Sequence, residues 1–229
     1  MKLTQHIPNT LTCLNLATGC AGIILVLSGE PVAAAWFVWI GCVFDFLDGF
    51  VARMLTVSSA IGKELDSLAD MVSFGVLPAV QMFILLDNHC TFAALPYISI
   101  SIAVFSGIRL AKFNLDTRQT TSFIGVPTPA NALFITALPF LPESLQAYVF
   151  DPAVLLAITI VTSLWLIEEV NLFALKFTSY RWKDNQLRFT FLALSGLLLI
   201  VFKAGALVFI ILAYVLISLI SDKILKKKI

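Results

Sequence analysis

The chain has 229 residues, 59% of them hydrophobic and 13% charged, with a formal net charge of +1. Several apolar runs reach the ~20 residues needed to cross a bilayer, which excludes a water-soluble globular domain and predicts an all-α, polytopic membrane bundle. Cys13, Cys20, Cys42 and Cys90 form no CxxC pair and three lie in apolar runs, so neither a disulfide framework nor a thiolate metal site is expected.

In chain order, Pro8, Asn9 and Thr10 signal a helix start, and the first apolar run continues to about residue 27. That run is too long for a signal-peptide core and reads as a membrane helix. Ser28-Gly29-Glu30-Pro31 reads as a turn. A second helix is predicted over about 32–54, a short connection over 55–61, and a third helix over about 62–86. Gly75 and Pro78 are expected to bend or loosen the third helix, which membrane helices tolerate when freed carbonyls find partners. A fourth helix spans about 91–113, followed by a polar loop at 116–122. A fifth helix starts near Pro127 or Pro129 and ends before Pro142, and a sixth covers about 152–170. After a polar loop at 176–188, the seventh and eighth helices cover about 187–202 and 204–220. No internal repeat or low-complexity segment is present. The expectation is one integral membrane domain over 1–229, with about eight transmembrane helices, a catalytic core over about 8–135 and C-terminal helices within 152–222.

The chemistry is concentrated in one stretch, Asp45 to Asp70, which reads DFLDGFVARMLTVSSAIGKELDSLAD. Asp45 and Asp48 are three apart on the second helix; Asp66 and Asp70 are four apart on the third. Each spacing puts both carboxylates on one helical face. Charge inside a membrane helix is costly and marks a functional site by default. Gly49, Ala52 and Arg53 continue the first stripe and Gly62 leads the second; the small residues allow close approach of a helix or ligand. At about 1.5 Å rise per residue, Asp45 lies roughly 15 Å from the connection and Asp66 roughly 6–8 Å from its own helix start, the depth of a headgroup phosphate. A cage of four carboxylates between two helices suits Mg²⁺ or Mn²⁺. A carboxylate left free of metal can take a proton from a hydroxyl. Arg53 offers a planar fork to phosphate. The residues therefore suggest metal-assisted phosphoryl chemistry on a membrane substrate. The bland alternative, aspartates that merely pair with bases, is limited: Arg53 and Lys63 neutralise at most two of the four.

On the eight-helix scheme both termini share one side. Of the Lys and Arg residues, 14 fall on that side and only Lys203 opposite. The positive-inside rule then places the termini and the aspartates in the cytoplasm. Arg109 and Lys112, three apart at a cytoplasmic helix end, can hold a phosphate or the carboxylate of an amino-acid acceptor, or can simply anchor the helix. Tyr180-Arg181-Trp182-Lys183 reads as an interfacial anchor, and no nucleic-acid role is expected of it. Lys226, Lys227 and Lys228 can attract anionic lipid or act only as a topology determinant.

The pattern Asp45-x-x-Asp48-Gly49-x-x-Ala52-Arg53, eight residues, Gly62-x-x-x-Asp66-x-x-x-Asp70 resembles the CDP-alcohol phosphotransferase signature at every specified position. Asp66-Ser67-Leu68-Ala69-Asp70-Met71-Val72-Ser73-Phe74-Gly75, Arg109-Leu110-Ala111-Lys112-Phe113-Asn114 and Phe123-Ile124-Gly125-Val126-Pro127-Thr128-Pro129-Ala130 are similar to its phosphatidylserine synthase branch. Many members carry arginine where this chain has Lys112. Glycerol-phosphate-using relatives usually carry proline and lysine where Ser67 and Met71 stand, which argues for serine as acceptor. The resemblance covers roughly the first 135 residues. It implies transfer from CDP-diacylglycerol to L-serine in the inner membrane, with release of CMP. Asp45, Asp48, Asp66 and Asp70 would hold one or two Mg²⁺ or Mn²⁺ ions, with Asp70 as the base. Gly49, Ala52 and Arg53 would line the CDP site beside Asp45 and Asp66, and Arg109, Lys112 and Asn114 the acceptor site. Members are commonly homodimers. Two alternatives stay open: the same chemistry with inositol phosphate or glycerol phosphate, and a cation-coupled transporter, although the latter commonly shows repeated halves.

Overall fold

The computed structural model describes residues 6–57, 59–115, 123–168, 171–172 and 182–226. Helix α1 spans His6–Leu27 and α2 spans Pro31–Met54, joined by a turn in which Gly29 takes a left-handed φ of 84°. Ser59 caps α3, Ala60–Asp70, by accepting the Gly62 backbone N–H at 3.0 Å. The chain then continues through a π-helical turn, Met71–Val76, into α4, Leu77–His89. The expected loosening near Gly75 and Pro78 is this π turn: Leu77 N–H bonds back to Val72 C=O, and Pro78 has no N–H to restore the α pattern.

The region predicted as a fourth helix from about residue 91 begins later. A 3₁₀ turn, Leu95–Ser99, carries Pro96 and leads into α5, Ile100–Leu115. Helix α6, Thr128–Ala137, ends in a 3₁₀ turn at Leu138–Phe140. A short helix, α7 (Glu143–Val149), then turns away by 119°. Hydropathy does not reveal α7, because Pro142 breaks the run and one polar side chain holds the corner with two bonds: Gln146 Nε2 donates to the carbonyls of Pro139 (3.0 Å) and Leu141 (2.7 Å). Helix α8, Pro152–Ile167, stops three residues earlier than predicted, where Glu168 becomes extended. Helices α9 (Trp182–Phe202) and α10 (Ala206–Lys226) pack on each other across the expected break, a 3₁₀ turn at Lys203–Gly205 in which Lys203 has φ 50°. The one departure from all-α structure among the described residues is a two-residue antiparallel pair, β1 (Phe123–Ile124) with β2 (Asn171–Leu172).

By length and composition five helical segments can cross a membrane, or six with the bent α6–α7 pair, while α8 is shorter and α9–α10 form one continuous apolar stretch. The prediction of about eight spans is therefore approximate. Large apolar side chains point outward along α2, α5, α8 and α9, including Phe46, Val104, Val161 and Ile200. Such a surface belongs in lipid rather than water, and the chain is a multi-pass membrane protein. One core cluster joins α4, α5, α6, α8 and α10 around Met82, Leu86, Ile102, Ile135 and Leu155; a second joins α1, α2 and α4 around Val26, Val38, Phe74 and Leu77. Several positively charged residues of the sidedness argument lie outside the described residues: Lys2, Arg118, Lys176, Arg181, Lys227 and Lys228. So do the loop at 116–122, Tyr180 and the side chains of Trp182, Lys183, Lys223 and Lys226.

Close helix approach positions the site. Gly19 of α1 packs on Ser73 of the π turn, where an added Cβ would lie 2.9 Å from the Ser73 Cα. Gly19→Ala is therefore expected to lower stability by about 1–3 kcal/mol, read as a lower thermal midpoint in detergent. Gly196→Ala, with nothing within 4 Å, is the neutral control.

Candidate functional site

The C-terminal half of α2, the whole of α3 and the first turns of α1 converge. Asp45 and Asp48 of α2 and Asp66 of α3 each offer a carboxylate oxygen, all within 4.8 Å of one another. Were all three ionised, each pair would repel by roughly 3 kcal/mol at an effective dielectric of 20. Among the described residues no aspartate of this group forms an ion pair, so the bland reading of aspartates spent on Arg53 and Lys63 has no support. Asp66 Oδ1 is buried without a hydrogen-bond partner. Three hard carboxylate donors, with an unpartnered buried oxygen on Asp66, fit Mg²⁺ or Mn²⁺.

Asp70 lies outside that close group. Its Oδ1 accepts the Asn15 Nδ2 amide at 3.2 Å. Asn15 is fully buried, and its Oδ1 has no partner. The backbone carbonyl of Asn15 accepts the hydroxyls of Ser73 (2.9 Å) and Thr18 (2.6 Å). Gly41 of α2 leaves the room: a Cβ there would meet Asn15 Oδ1 at 3.0 Å. Thr12, one turn before Asn15, donates to Asp48 Oδ2 at 2.6 Å. A hydroxyl donating to a carboxylate orients it, as outer-shell groups do for metal ligands.

A cavity of about 260 Å³ opens beside the carboxylates. It is lined by Pro8, Asn9 and Thr12 of α1, by Asp48, Gly49 and Ala52 of α2, by Val57 and Ser59, and by Gly62, Lys63 and Asp66 of α3. Gly49 and Ala52, expected to line a nucleotide site, do line this cavity. Gly62 is required by close approach: a Cβ would meet Asn9 Oδ1 and Ser59 Oγ at 2.9 Å each. Arg53 is exposed, with its guanidinium lying over Gly49, and the basic residue on the cavity wall is Lys63.

The three residues expected to bind an acceptor separate. Arg109 is buried at 8% exposure, with Nε unpartnered, its guanidinium carbon 5.9 Å from the Phe113 ring centre and Asp70 within electrostatic range. Lys112 faces outward. Asn114 is engaged by α3: its carbonyl accepts Lys63 Nζ at 3.0 Å and its amide donates to Ser67 Oγ at 2.7 Å. Sequence reasoning missed Thr12 and Asn15. Their signal was available, since both are polar groups inside an apolar membrane helix, with Gly19 and Gly22 continuing the Asn15 stripe.

A family model described as CDP-alcohol phosphatidyltransferase matches residues 5–167. The chain is 36% identical over 130 residues to a CDP-diacylglycerol–serine O-phosphatidyltransferase of Helicobacter pylori (strain J99), covering 56% of this chain and 54% of that protein. To the Bacillus subtilis (strain 168) protein of the same name it is 34% identical over 140 residues, 59% of this chain and 76% of the relative. To that of Saccharomyces cerevisiae it is 36% identical over 157 residues, 61% and 55% of the respective chains. The match spans about half the length of the Helicobacter relative.

Proposed function

The chain belongs to the CDP-alcohol phosphatidyltransferase family, and from that premise we propose that it transfers the phosphatidyl group of CDP-diacylglycerol to the hydroxyl of L-serine, giving phosphatidylserine and CMP. The observation that carries this reading is the group of three carboxylates, two of which, Asp48 and Asp66, line a cavity walled by Gly49, Ala52 and Gly62. The relatives' names and the residues Ser67 and Met71 favour serine over glycerol phosphate or inositol phosphate.

Asp45, Asp48 and Asp66 would hold the divalent ion, with Asp70 adjacent on the next turn. When bound, Mg²⁺ or Mn²⁺ supplies positive charge against the diphosphate and the departing CMP. Gly49, Ala52 and Gly62 leave room for the nucleotide, and Arg53 and Lys63 supply cations for its phosphates. Asp70, oriented by Asn15, takes the proton of the serine hydroxyl. The serine oxygen then bonds to the phosphatidyl phosphorus, and the bond from that phosphorus to the bridging oxygen breaks. Arg109 offers a buried guanidinium to the serine carboxylate, with Lys112 nearer the surface. The charge distribution supports an inner-membrane enzyme of one integral domain with its site and both termini in the cytoplasm, and the family supports a homodimer.

The test is CMP release by purified protein supplied with CDP-diacylglycerol and each alcohol separately. Release with serine alone, abolished by chelation and restored by Mg²⁺ or Mn²⁺, is the expected result. Release with a different alcohol would move the acceptor assignment, and no release with any alcohol would overturn the transferase reading.

A further inference from the structure

Helix α3 carries Asp66 and Asp70, whereas α5 carries Arg109. The two helices share little backbone packing: α3 rests chiefly on α1, while α5 rests on α8 and the π turn. What joins them is a ring of three side-chain bonds. Asn114 Nδ2 donates to Ser67 Oγ at 2.7 Å, the Ser67 hydroxyl donates to Lys63 C=O at 3.3 Å, and Lys63 Nζ donates to Asn114 C=O at 3.0 Å. Ser67 directly follows Asp66 and stands three residues before Asp70, on the same side of the helix. Lys63 also lines the cavity. The ring therefore runs from the cavity wall, through the helix bearing two of the aspartates, to the last turn of α5.

We propose that Ser67 and Asn114 are a positioning pair, which fixes the rotation of α3 against α5 so that Asp70 and Arg109 address the same acceptor. The inference rests on the transferase reading above. It gives Asn114 a different role from that of an acceptor ligand: its side-chain amide N–H and its backbone carbonyl are both bonded to α3. A small rotation of α3 would leave in place the part of the cavity lining that comes from α1 and α2, including Asn9, Thr12, Asp48 and Gly49, while shifting Gly62, Lys63 and Asp66 slightly together with Asp70. Its larger effect would be to misalign the proton acceptor with the hydroxyl. An error of about 1 Å at a reacting centre costs on the order of 100-fold.

The experiment uses the full chain and the variants Ser67→Ala, Asn114→Ala, their combination and Ser67→Thr, each assayed for CMP release with both substrates varied in turn. Each alanine variant is expected to lower kcat/KM for serine by about 10- to 100-fold while KM for CDP-diacylglycerol stays within about twofold. The double variant is expected to be no worse than either single one, the signature of a shared contact. Ser67→Thr, which keeps the hydroxyl, restores the rate. Additive losses, a rise in KM for CDP-diacylglycerol as large as the loss of rate, failure of threonine to rescue, or unchanged kinetics would each overturn the pair. Wild-type protein that releases no CMP with any alcohol would instead overturn the transferase reading, so the two failures are distinguishable.

Discussion

Asp70→Asn is expected to lower CMP release by about 10²- to 10⁴-fold, the usual contribution of a positioned general base. The substitution preserves size, and the new amide oxygen can still accept the Asn15 N–H that Asp70 Oδ1 takes at 3.2 Å. What is lost is the negative charge and the proton affinity. The three-carboxylate group of Asp45, Asp48 and Asp66 remains complete without it. Binding of Mn²⁺, followed by electron paramagnetic resonance, is therefore expected to weaken by no more than about 10- to 100-fold, the scale of an outer-shell effect. Asp66→Asn, by contrast, removes a member of the close group and is expected to lose both Mn²⁺ binding and turnover. If Asp70→Asn abolishes Mn²⁺ binding as completely as Asp66→Asn, Asp70 is a ligand in the same sense as the other three. If it leaves CMP release intact, Asp70 is not the base.

Asn15→Leu is expected to lower kcat by about 100-fold with little change in KM for CDP-diacylglycerol. Leucine keeps the heavy-atom count and the Cγ branching of asparagine, so the overall shape of the α1 side chain beside Gly41 is approximated, with bulkier methyl tips. The amide donor to Asp70 is gone, leaving a buried carboxylate without that partner, which costs about 1–3 kcal/mol. Asn15 does not line the cavity, so donor binding does not depend on it directly. Steady-state kinetics with both substrates varied separates the outcomes. Equal rises in both KM values with kcat unchanged would make Asn15 a packing residue. Gly41→Ala gives the same test from the other side, since its Cβ would press on Asn15 Oδ1 at 3.0 Å without removing the amide.

Much of the site was legible in the chain because carboxylates inside apolar helices have few reasons to exist. Asp45 and Asp48 share one face of α2 and Asp66 and Asp70 one face of α3 at helical spacing, and the connection between α2 and α3 is short enough to bring the faces together. The family resemblance places Gly49 and Ala52 at a nucleotide site, and Gly62 marks a point of close approach. The acceptor region was less legible. Arg109 and Lys112 are three residues apart, and spacing alone put them on one face. In the structure Arg109 is buried toward Asp70, while Lys112 points outward at the helix end. Asn114 follows in the same motif, yet its polar groups bond to α3. Which side of a helix meets which neighbour is a tertiary property, and a three-residue interval of roughly 300° leaves it open.

The sequence by itself determined the membrane class, the first three helices and the identity of the acidic group. Each of these depends on local quantities: the hydropathy of a run, the period of a helix, the cost of charge in lipid. Only the tertiary structure decided that α1 supplies Thr12 and Asn15 to the aspartates, that Lys63 rather than Arg53 lines the cavity, and that Asp70 stands apart from the closest three carboxylates. These depend on how near helices come to one another. Gly19, Gly22 and Gly41 set that distance through contacts with residues as far away as Ser73 and Leu77, contacts that no local pattern encodes.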